Sequence, residues 1–381
     1  MSDYEPIPSN YMFNALKDDE AIIMACNTRT PVGLLKGIFR AAKDLDAAVI
    51  MELAKSESNL EGGYTGMTPA EYSRLTRETA KEVGFDIWAL HADHITLKKG
   101  NQEEMEKIKK LIDGQIVAGY TSFAIDASFL FDDSGKTVED ELAKNIAVTT
   151  ELAKHIEEGM QGKEYGLEVE VGEIGKKDEH GRVLTTPEEA VTFVMKLAEN
   201  GVHAQGIAIA NGSAHGNAYD ADGNLVPQLS IDIPQTIKVA EALKENNLDV
   251  RIVQHGITGT PLEFIATKFP KKSIIKGNVG TYWQNLVWDV LKVYEPELWE
   301  EIKAWVMDKY GKEAKEKGIK TDEMVMGKYG KNSWKPFCER MKNINKDTIK
   351  AIEDTAYADA QLFFKAFSAI GSASKVRELM K

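Results

Sequence analysis

The sequence predicts an α/β protein built as a (β/α)8 TIM barrel with a C-terminal helical extension. Three observations carry that prediction. Eight apolar runs of strand length alternate with longer segments of helical periodicity. Polar residues collect at the C-terminal ends of many runs, where a barrel gathers its loops at one mouth. No Gly-x-Gly-x-x-Gly follows the first run, which weakens the competing open, doubly wound sheet.

The runs are 21–27, 47–53, 87–94, 122–128, 166–172, 204–211, 250–255 and 273–278. Helix starts lie between them. Thr30-Pro31 predicts one by an N-cap and a proline in the first turn. Thr68-Pro69-Ala70-Glu71 and Thr186-Pro187-Glu188-Glu189 add a glutamate three residues after the threonine, the pattern of a capping box. Asp232-Ile233-Pro234 is a looser form of the same signal, and Gly84, Gly119 and Gly201 stand where helices would stop. The barrel is expected over 1–294. The remainder, 295–381, reads as helices, with Trp299, Trp305 and Trp334 early and a Lys/Gly-rich interruption, Lys328 to Ser333, between its halves. These helices either cover the barrel or, through Phe363, Phe364 and Phe367, form a subunit interface.

Composition narrows the function classes. With 381 residues, 43% hydrophobic and 28% charged, the chain is an ordinary globular protein with ample core. A net charge of −13 argues against a nucleic-acid binder but not against a small anionic substrate, which backbone amides can hold. The only cysteines, Cys26 and Cys338, make no disulfide framework. No basic-then-apolar leader and no membrane-length apolar run is present, so the expectation is a cytoplasmic enzyme without a membrane partner.

Three of the seven histidines end strand-like runs: His94, His215 and His255. Three neutral nitrogen donors with an open fourth position are the ligand set of a catalytic Zn²⁺. A single histidine after a strand is usually structural; three in one context are harder to dismiss. Asp93 precedes His94, placed to serve as a general acid/base or to orient a ligand, its plain alternative being a cap on the following segment. Asp126 ends the fourth run, and Glu168 and Glu170 share one face of the fifth. Inward carboxylates need a cation or donors, either a metal or a salt-bridge layer with Lys or Arg. Gly256-Ile257-Thr258-Gly259 and Gly277-Asn278-Val279-Gly280-Thr281 follow the seventh and eighth runs, the common phosphate site of such barrels.

Together these segments resemble the metal-dependent class II fructose-bisphosphate aldolases and the related tagatose-bisphosphate aldolases. The matching pieces are His91-Ala92-Asp93-His94, Ile125-Asp126-Ala127-Ser128, Leu167-Glu168-Val169-Glu170-Val171-Gly172, His215-Gly216, His255-Gly256-Ile257-Thr258-Gly259 and Lys276-Gly277-Asn278-Val279-Gly280-Thr281. The stretch from Ala25-Cys26-Asn27 to Ala42 follows the family's opening, so the resemblance covers roughly 21–285. It implies catalytic zinc, or another divalent metal, on His94, His215 and His255, with Asp126 and Glu170 near a secondary metal position. A monovalent cation is compatible with it. Asp93 would be the acid/base at the C4 hydroxyl, and Gly216, Gly256, Thr258, Asn278 and Thr281 would contact the phosphate of dihydroxyacetone phosphate. The substrate would be a ketose 1,6-bisphosphate, fructose first, and the assembly a homodimer or homotetramer.

The chain departs from the family in three places. Gly280 replaces an aspartate of the strand-eight signature, and the spacing from His215 to Tyr219 is one residue longer. The loop after the fifth run reads Gly175-Lys176-Lys177-Asp178-Glu179-His180, so the carbanion-forming base is Asp178 by alignment, with Glu179 competing. A zinc-dependent ketose epimerase working by retro-aldol cleavage is the rival reading, and a metal-stabilised binding protein the remote one.

Overall fold

The computed structural model describes residues 4–30, 32–175, 177–178, 181–220 and 222–381, with backbone alone at 177, 178, 181 and 182. Eight parallel strands close a barrel: β1 (Ile23–Asn27), β2 (Val49–Ala54), β3 (Trp88–Thr96), β4 (Ser122–Asp126), β5 (Gly166–Glu170), β6 (Gly206–Ala208), β7 (Arg251–Gln254) and β8 (Ile274–Val279). Each of the eight predicted runs holds one of them, and β1 pairs with β8 to close the ring. The strands are buried nearly throughout because one face meets helices and the other fills the barrel. Two short antiparallel strand pairs, 177–178 with 181–182 and 218–219 with 225–226, follow β5 and β6.

The helices are α1 (Ser9–Leu16), α2 (Leu34–Asp44), α3 (Pro69–Val83), α4 (Gln102–Val117), α5 (Val138–Met160), α6 (Pro187–Glu199), α7 (Ile233–Glu245), α8 (Leu262–Lys268) and α9 (Thr281–Tyr294). Both capping boxes form: Glu71 N donates to Thr68 Oγ1 at 3.3 Å and Glu189 N to Thr186 Oγ1 at 3.1 Å. Asp232 caps α7 through the Gln235 amide at 2.9 Å. The start predicted at Thr30-Pro31 is wrong. Helix α2 begins at Leu34 after Gly33, with φ +75°, and no side chain caps it; Pro31 lies outside the described residues. The reason is tertiary. A Cβ on Gly33 would lie 2.8 Å from the Ile349 carbonyl oxygen, so a close approach from the far end of the chain fixes where this helix begins.

The extension comprises α10 (Pro296–Glu316), α11 (Asp322–Tyr329), a 3₁₀ segment (Gly330–Ser333), α12 (Trp334–Lys342), α13 (Lys346–Ala366) and α14 (Ser372–Leu379). Stacking of Trp334 on Trp288, with centroids 4.1 Å apart, and a 3.1 Å bond from Trp334 Nε1 to Gln284 Oε1 anchor its first half on α9. Helix α13 lies against α2 and α9. Phe363, Phe364 and Phe367 are buried within the chain rather than presented as an interface. Phe363 meets the Tyr282 ring edge-on at 4.9 Å, and the Phe367 carbonyl accepts from Ile22 N at 2.9 Å. At the opposite end of the barrel, α1 forms a plug: Ser9 Oγ bonds Ser122 Oγ at 2.6 Å, and a Cβ on Gly166 would collide with it.

The contact between α2 and α13 depends on Gly37, where a Cβ would lie 2.3 Å from the Glu353 carbonyl oxygen and 2.8 Å from Ala356 Cβ. Gly37→Val is expected to force the helices apart and to destabilise the fold by about 1–3 kcal/mol. Denaturant unfolding checks this; an unchanged midpoint would show that α13 is only loosely docked.

Candidate active site

The site begins with an irregularity in β3. Ala92 pairs with Phe123 and Ile95 with Ile125, so Asp93 and His94 together face one residue of β4. His94 takes φ +38°, a left-handed conformation unusual for a residue with a Cβ. A strand alternates its side chains, and an inserted residue breaks that alternation. Both Asp93 and His94 therefore turn to the mouth, although the strand continues to Thr96.

His94 is held from behind. Its Nδ1 lies 3.0 Å from Glu170 Oε2 and 3.6 Å from Asp126 Oδ2, while its Nε2 is buried without a hydrogen-bond partner. Burial disfavours a charged imidazole, but Asp93 and Glu170 more than compensate and raise the His94 pKa well above its usual range. Burial and repulsion from Asp126 lift Glu170 to about 7. His255 is buried and its pKa is pushed well down, first by burial and then by His94, leaving a neutral donor. The His94 ring stands 4.3 Å from His255 and 5.3 Å from His215, so all three imidazoles surround one space.

The donor set fits a divalent cation. Ligand atoms of His94, His255 and Asp93 lie within 4.8 Å of one another, as do those of His94, Asp126 and Glu170. His215 falls outside these tight groups, on the exposed side of the cleft. Asp126 and Glu170 face the inner nitrogen of His94, the position from which a carboxylate orients a metal-binding imidazole.

Asp93 is buried and has one side-chain donor on each carboxylate oxygen. Asn27 Nδ2 reaches one oxygen at 3.0 Å and Asn278 Nδ2 the other at 3.2 Å. Burial opposes its ionisation, yet His94, Lys276, His91 and the Asn27 bond bring its pKa below the usual value. Asn278 also donates to Glu52 at 2.8 Å, which leaves only its Oδ1 without a partner.

Beneath this lies a charged layer. Lys276 Nζ is 2.8 Å from both oxygens of Glu168 and 3.1 Å from Glu52; His91 Nε2 is 3.5 Å from Glu168 and its Nδ1 is 2.6 Å from Ser122 Oγ. Burial works against ionised Glu168, but His91 and Lys276 hold it at about 2. Of the two strand-five glutamates, Glu168 belongs to a salt bridge and Glu170 to the histidines.

Around the mouth is a cleft of about 500 Å³, bordered by Asp93, the three histidines, Gly216, Gly256, Thr258, Asn278 and Thr281. Thr258 Oγ1 accepts from Tyr282 N at 3.2 Å, tying the loop after β7 to the start of α9. Gly256 has φ +66°, and a Cβ there would lie 2.8 Å from the Ala214 carbonyl oxygen, so it lets the His215 loop approach. The Asp178 side chain and all of Glu179 lie outside the described residues. Four side chains around Asp93 carried no prediction of their own: Glu52, Asn27, Glu57 and Arg29. Glu57 accepts from Asn27 at 3.0 Å, Arg29 Nε at 2.7 Å and the Tyr64 hydroxyl at 2.9 Å. Their one sequence signal was position, on or just after β1 and β2. No described helix is long and apolar enough to cross a membrane.

Comparison with known proteins agrees with this architecture. The crystal structure of a Campylobacter jejuni fructose-bisphosphate aldolase superposes with a TM-score of 0.62 at 16% identity, covering 97% of this chain and 98% of that one. The YdjI aldolase of Escherichia coli K12 gives 0.59 at 17% identity over 96% and 99%. At these identities the likeness is one of fold. The D-tagatose-1,6-bisphosphate aldolase subunit GatZ of Escherichia coli O1:K1 is 32% identical over 115 residues, 28% of this chain and only 27% of that relative's length. The family model described as fructose-bisphosphate aldolase class-II matches residues 8–347. The chain belongs to the class II fructose-bisphosphate aldolase family.

Proposed function

We propose that the chain is a zinc-dependent aldolase that reversibly cleaves fructose 1,6-bisphosphate to dihydroxyacetone phosphate and glyceraldehyde 3-phosphate. The observation that carries the reading is the pair at the bulge of β3: a buried carboxylate, Asp93, beside a histidine whose outer nitrogen is free. His94, His215 and His255 would hold a divalent cation, which when bound supplies Lewis acidity toward the ketone and its neighbouring hydroxyl. Asp126 and Glu170 fix the His94 ring and balance the cation's charge.

Asp93 then acts on the C4 hydroxyl. It accepts that proton as the C3–C4 bond breaks; the bonding pair stays with the C3 fragment, and C4 becomes the aldehyde carbon. Asn27 and Asn278 keep both carboxylate oxygens aimed during the transfer. C3 receives its proton from Asp178 or Glu179 on the loop after β5, which in the reverse direction removes it. Gly216, Gly256, Thr258, Asn278 and Thr281 receive the phosphate, helped by the amides at the start of α9.

Three measurements test the reading. His215→Ala should lose stoichiometric zinc by elemental analysis; full occupancy in that variant would remove the metal assignment. Asp93→Asn should keep zinc while turnover falls by about 10²–10⁴-fold. A variant that instead loses metal, with unchanged turnover in its remaining loaded fraction, would make Asp93 an orienting residue. Proton exchange into dihydroxyacetone phosphate isolates the C3 step, because no aldehyde is needed. Asp178→Ala should suppress it with zinc retained, and exchange persisting in both Asp178→Ala and Glu179→Ala would place the base elsewhere.

A further inference from the structure

Two asparagines hold the Asp93 carboxylate, and each is held in turn by a glutamate to which the reading above gives no task. Asn27, at the end of β1, donates through Nδ2 to Asp93 Oδ2 and to Glu57 Oε2, each at 3.0 Å. Asn278, on β8, donates through Nδ2 to Asp93 Oδ1 at 3.2 Å and to Glu52 Oε1 at 2.8 Å. Each amide therefore directs both N–H groups at carboxylates. Behind each glutamate stands a cation: Lys276 Nζ is 3.1 Å from Glu52 Oε2, and Arg29 Nε is 2.7 Å from Glu57 Oε1. The row reads the same from either end: cation, carboxylate, amide, Asp93, amide, carboxylate, cation. Apart from Arg29, all of its members are buried.

The two ends of an asparagine amide are nearly alike in size, so shape alone does not decide which of them faces Asp93. Asp93 does not decide it throughout turnover either. Ionised, it needs donors; holding the C4 proton, it becomes a donor itself and would draw an amide oxygen toward it. A glutamate on the far side removes that freedom. Because one nitrogen serves both carboxylates, turning the amide would set its oxygen against the glutamate as well. Glutamine could not do this. Glu57 accepts on both oxygens, from Arg29 and the Tyr64 hydroxyl on Oε1 and from Asn27 and the Ala54 amide on Oε2. A glutamine has one acceptor oxygen, and the guanidinium would claim it. Glu52 is placed likewise between Lys276 and Asn278. Burial and then Asp93 raise the Glu52 pKa well above the usual carboxylate range. A proton there would sit on Oε2, which makes no hydrogen bond, and leave Oε1 to the amide.

We propose that Glu52 and Glu57 are positioning residues for Asp93, each locking one asparagine amide with its nitrogen toward the carboxylate. The inference rests on the aldolase reading for what Asp93 does, and not for how it is held. A carboxylate whose donors stay in place meets each substrate in one orientation, and its surroundings need no rearrangement during the transfer.

The orientation can be read without turnover. Neutron diffraction from the deuterated, full-length, zinc-loaded protein separates nitrogen from oxygen, and both amides should present nitrogen to Asp93. An oxygen facing Asp93 from either asparagine would overturn the lock. Kinetics then test its purpose. Glu57→Gln should lower kcat for fructose 1,6-bisphosphate cleavage about 10–100-fold, with KM and zinc content unchanged. Proton exchange into dihydroxyacetone phosphate, a step assigned to the loop after β5, should persist. Exchange that falls as far as cleavage would mean general damage to the site and overturn the positioning role. Glu52→Gln should lower kcat in the same way, and either glutamine substitution added to Asp93→Asn should cost nothing further. Losses of equal size with and without Asp93 would show that the glutamates act elsewhere, and unchanged kcat in both single variants would overturn the inference outright. A protein whose amides are so oriented, yet which neither cleaves the sugar nor exchanges the proton, would refute the aldolase reading and leave the lock intact.

Discussion

Two consecutive residues of one strand must face the same side, and the site is arranged around that requirement. A regular β3 would aim Asp93 and His94 in opposite directions. The bulge resolves this by giving His94 a left-handed backbone, a strained state that persists only where surrounding structure enforces it. Here the enforcement is visible. Asn27 and Asn278 grip the Asp93 carboxylate from β1 and β8, and Glu170 and Asp126 meet His94 from β5 and β4. Strands from most of the ring therefore hold one dipeptide. Barrel closure is the condition for the site, because β1, β3 and β8 share a carboxylate only when the sheet returns on itself.

Charge explains the layers beneath. Asp93, Asp126, Glu170, Glu52 and Glu168 are all buried near the mouth or just below it. Such a concentration cannot remain fully ionised in a poor dielectric without cations. Lys276 satisfies the lower part, bridging Glu168 and Glu52. Among the described residues no lysine or arginine is in ion-pair contact with Asp93, Asp126 or Glu170, and there His94 and Glu170 are shifted toward holding protons. A dication among the histidines is the natural complement of that arrangement. The division between Glu168 and Glu170, two residues apart on one face, follows from which neighbour each meets: a lysine below, an imidazole above.

The sequence was most readable where physics is local. Parallel strands buried on both faces appear as continuous apolar runs, and all eight were visible. Capping boxes at Thr68 and Thr186 and the N-cap at Asp232 involve neighbours within a few residues, so they too could be read. Thr30-Pro31 misled because Gly33 answers to Ile349, more than three hundred positions away. That Asp93 and the three histidines gather at the mouth was legible by position at strand ends, with the family motifs adding to that. Glu57 and Arg29 were not, because their roles exist only once closure brings β1, β2 and α9 together. The inward use of the Asn278 amide was equally hidden, since no spacing indicates which of its two ends would face Asp93.

The extension shows why a boundary in sequence need not be a boundary in function. It follows the last barrel helix, and its tryptophans and phenylalanines bury apolar surface as a cover would. Yet its first half also secures the loop that carries His215. The Tyr219 hydroxyl donates to the Glu323 carbonyl at 3.3 Å, and a Cβ on Gly327 would collide with that hydroxyl. Asn285, on α9, holds Asn217 of the same loop at 2.9 Å. A histidine on a long loop gains little as a ligand unless the loop is ordered in advance, since ordering it during binding would consume part of the binding free energy. Docking on α9 and α11 supplies that order, while Trp334 fixes Gln284 beside Arg29. The helices that close the barrel's side thus also set the shape of its mouth.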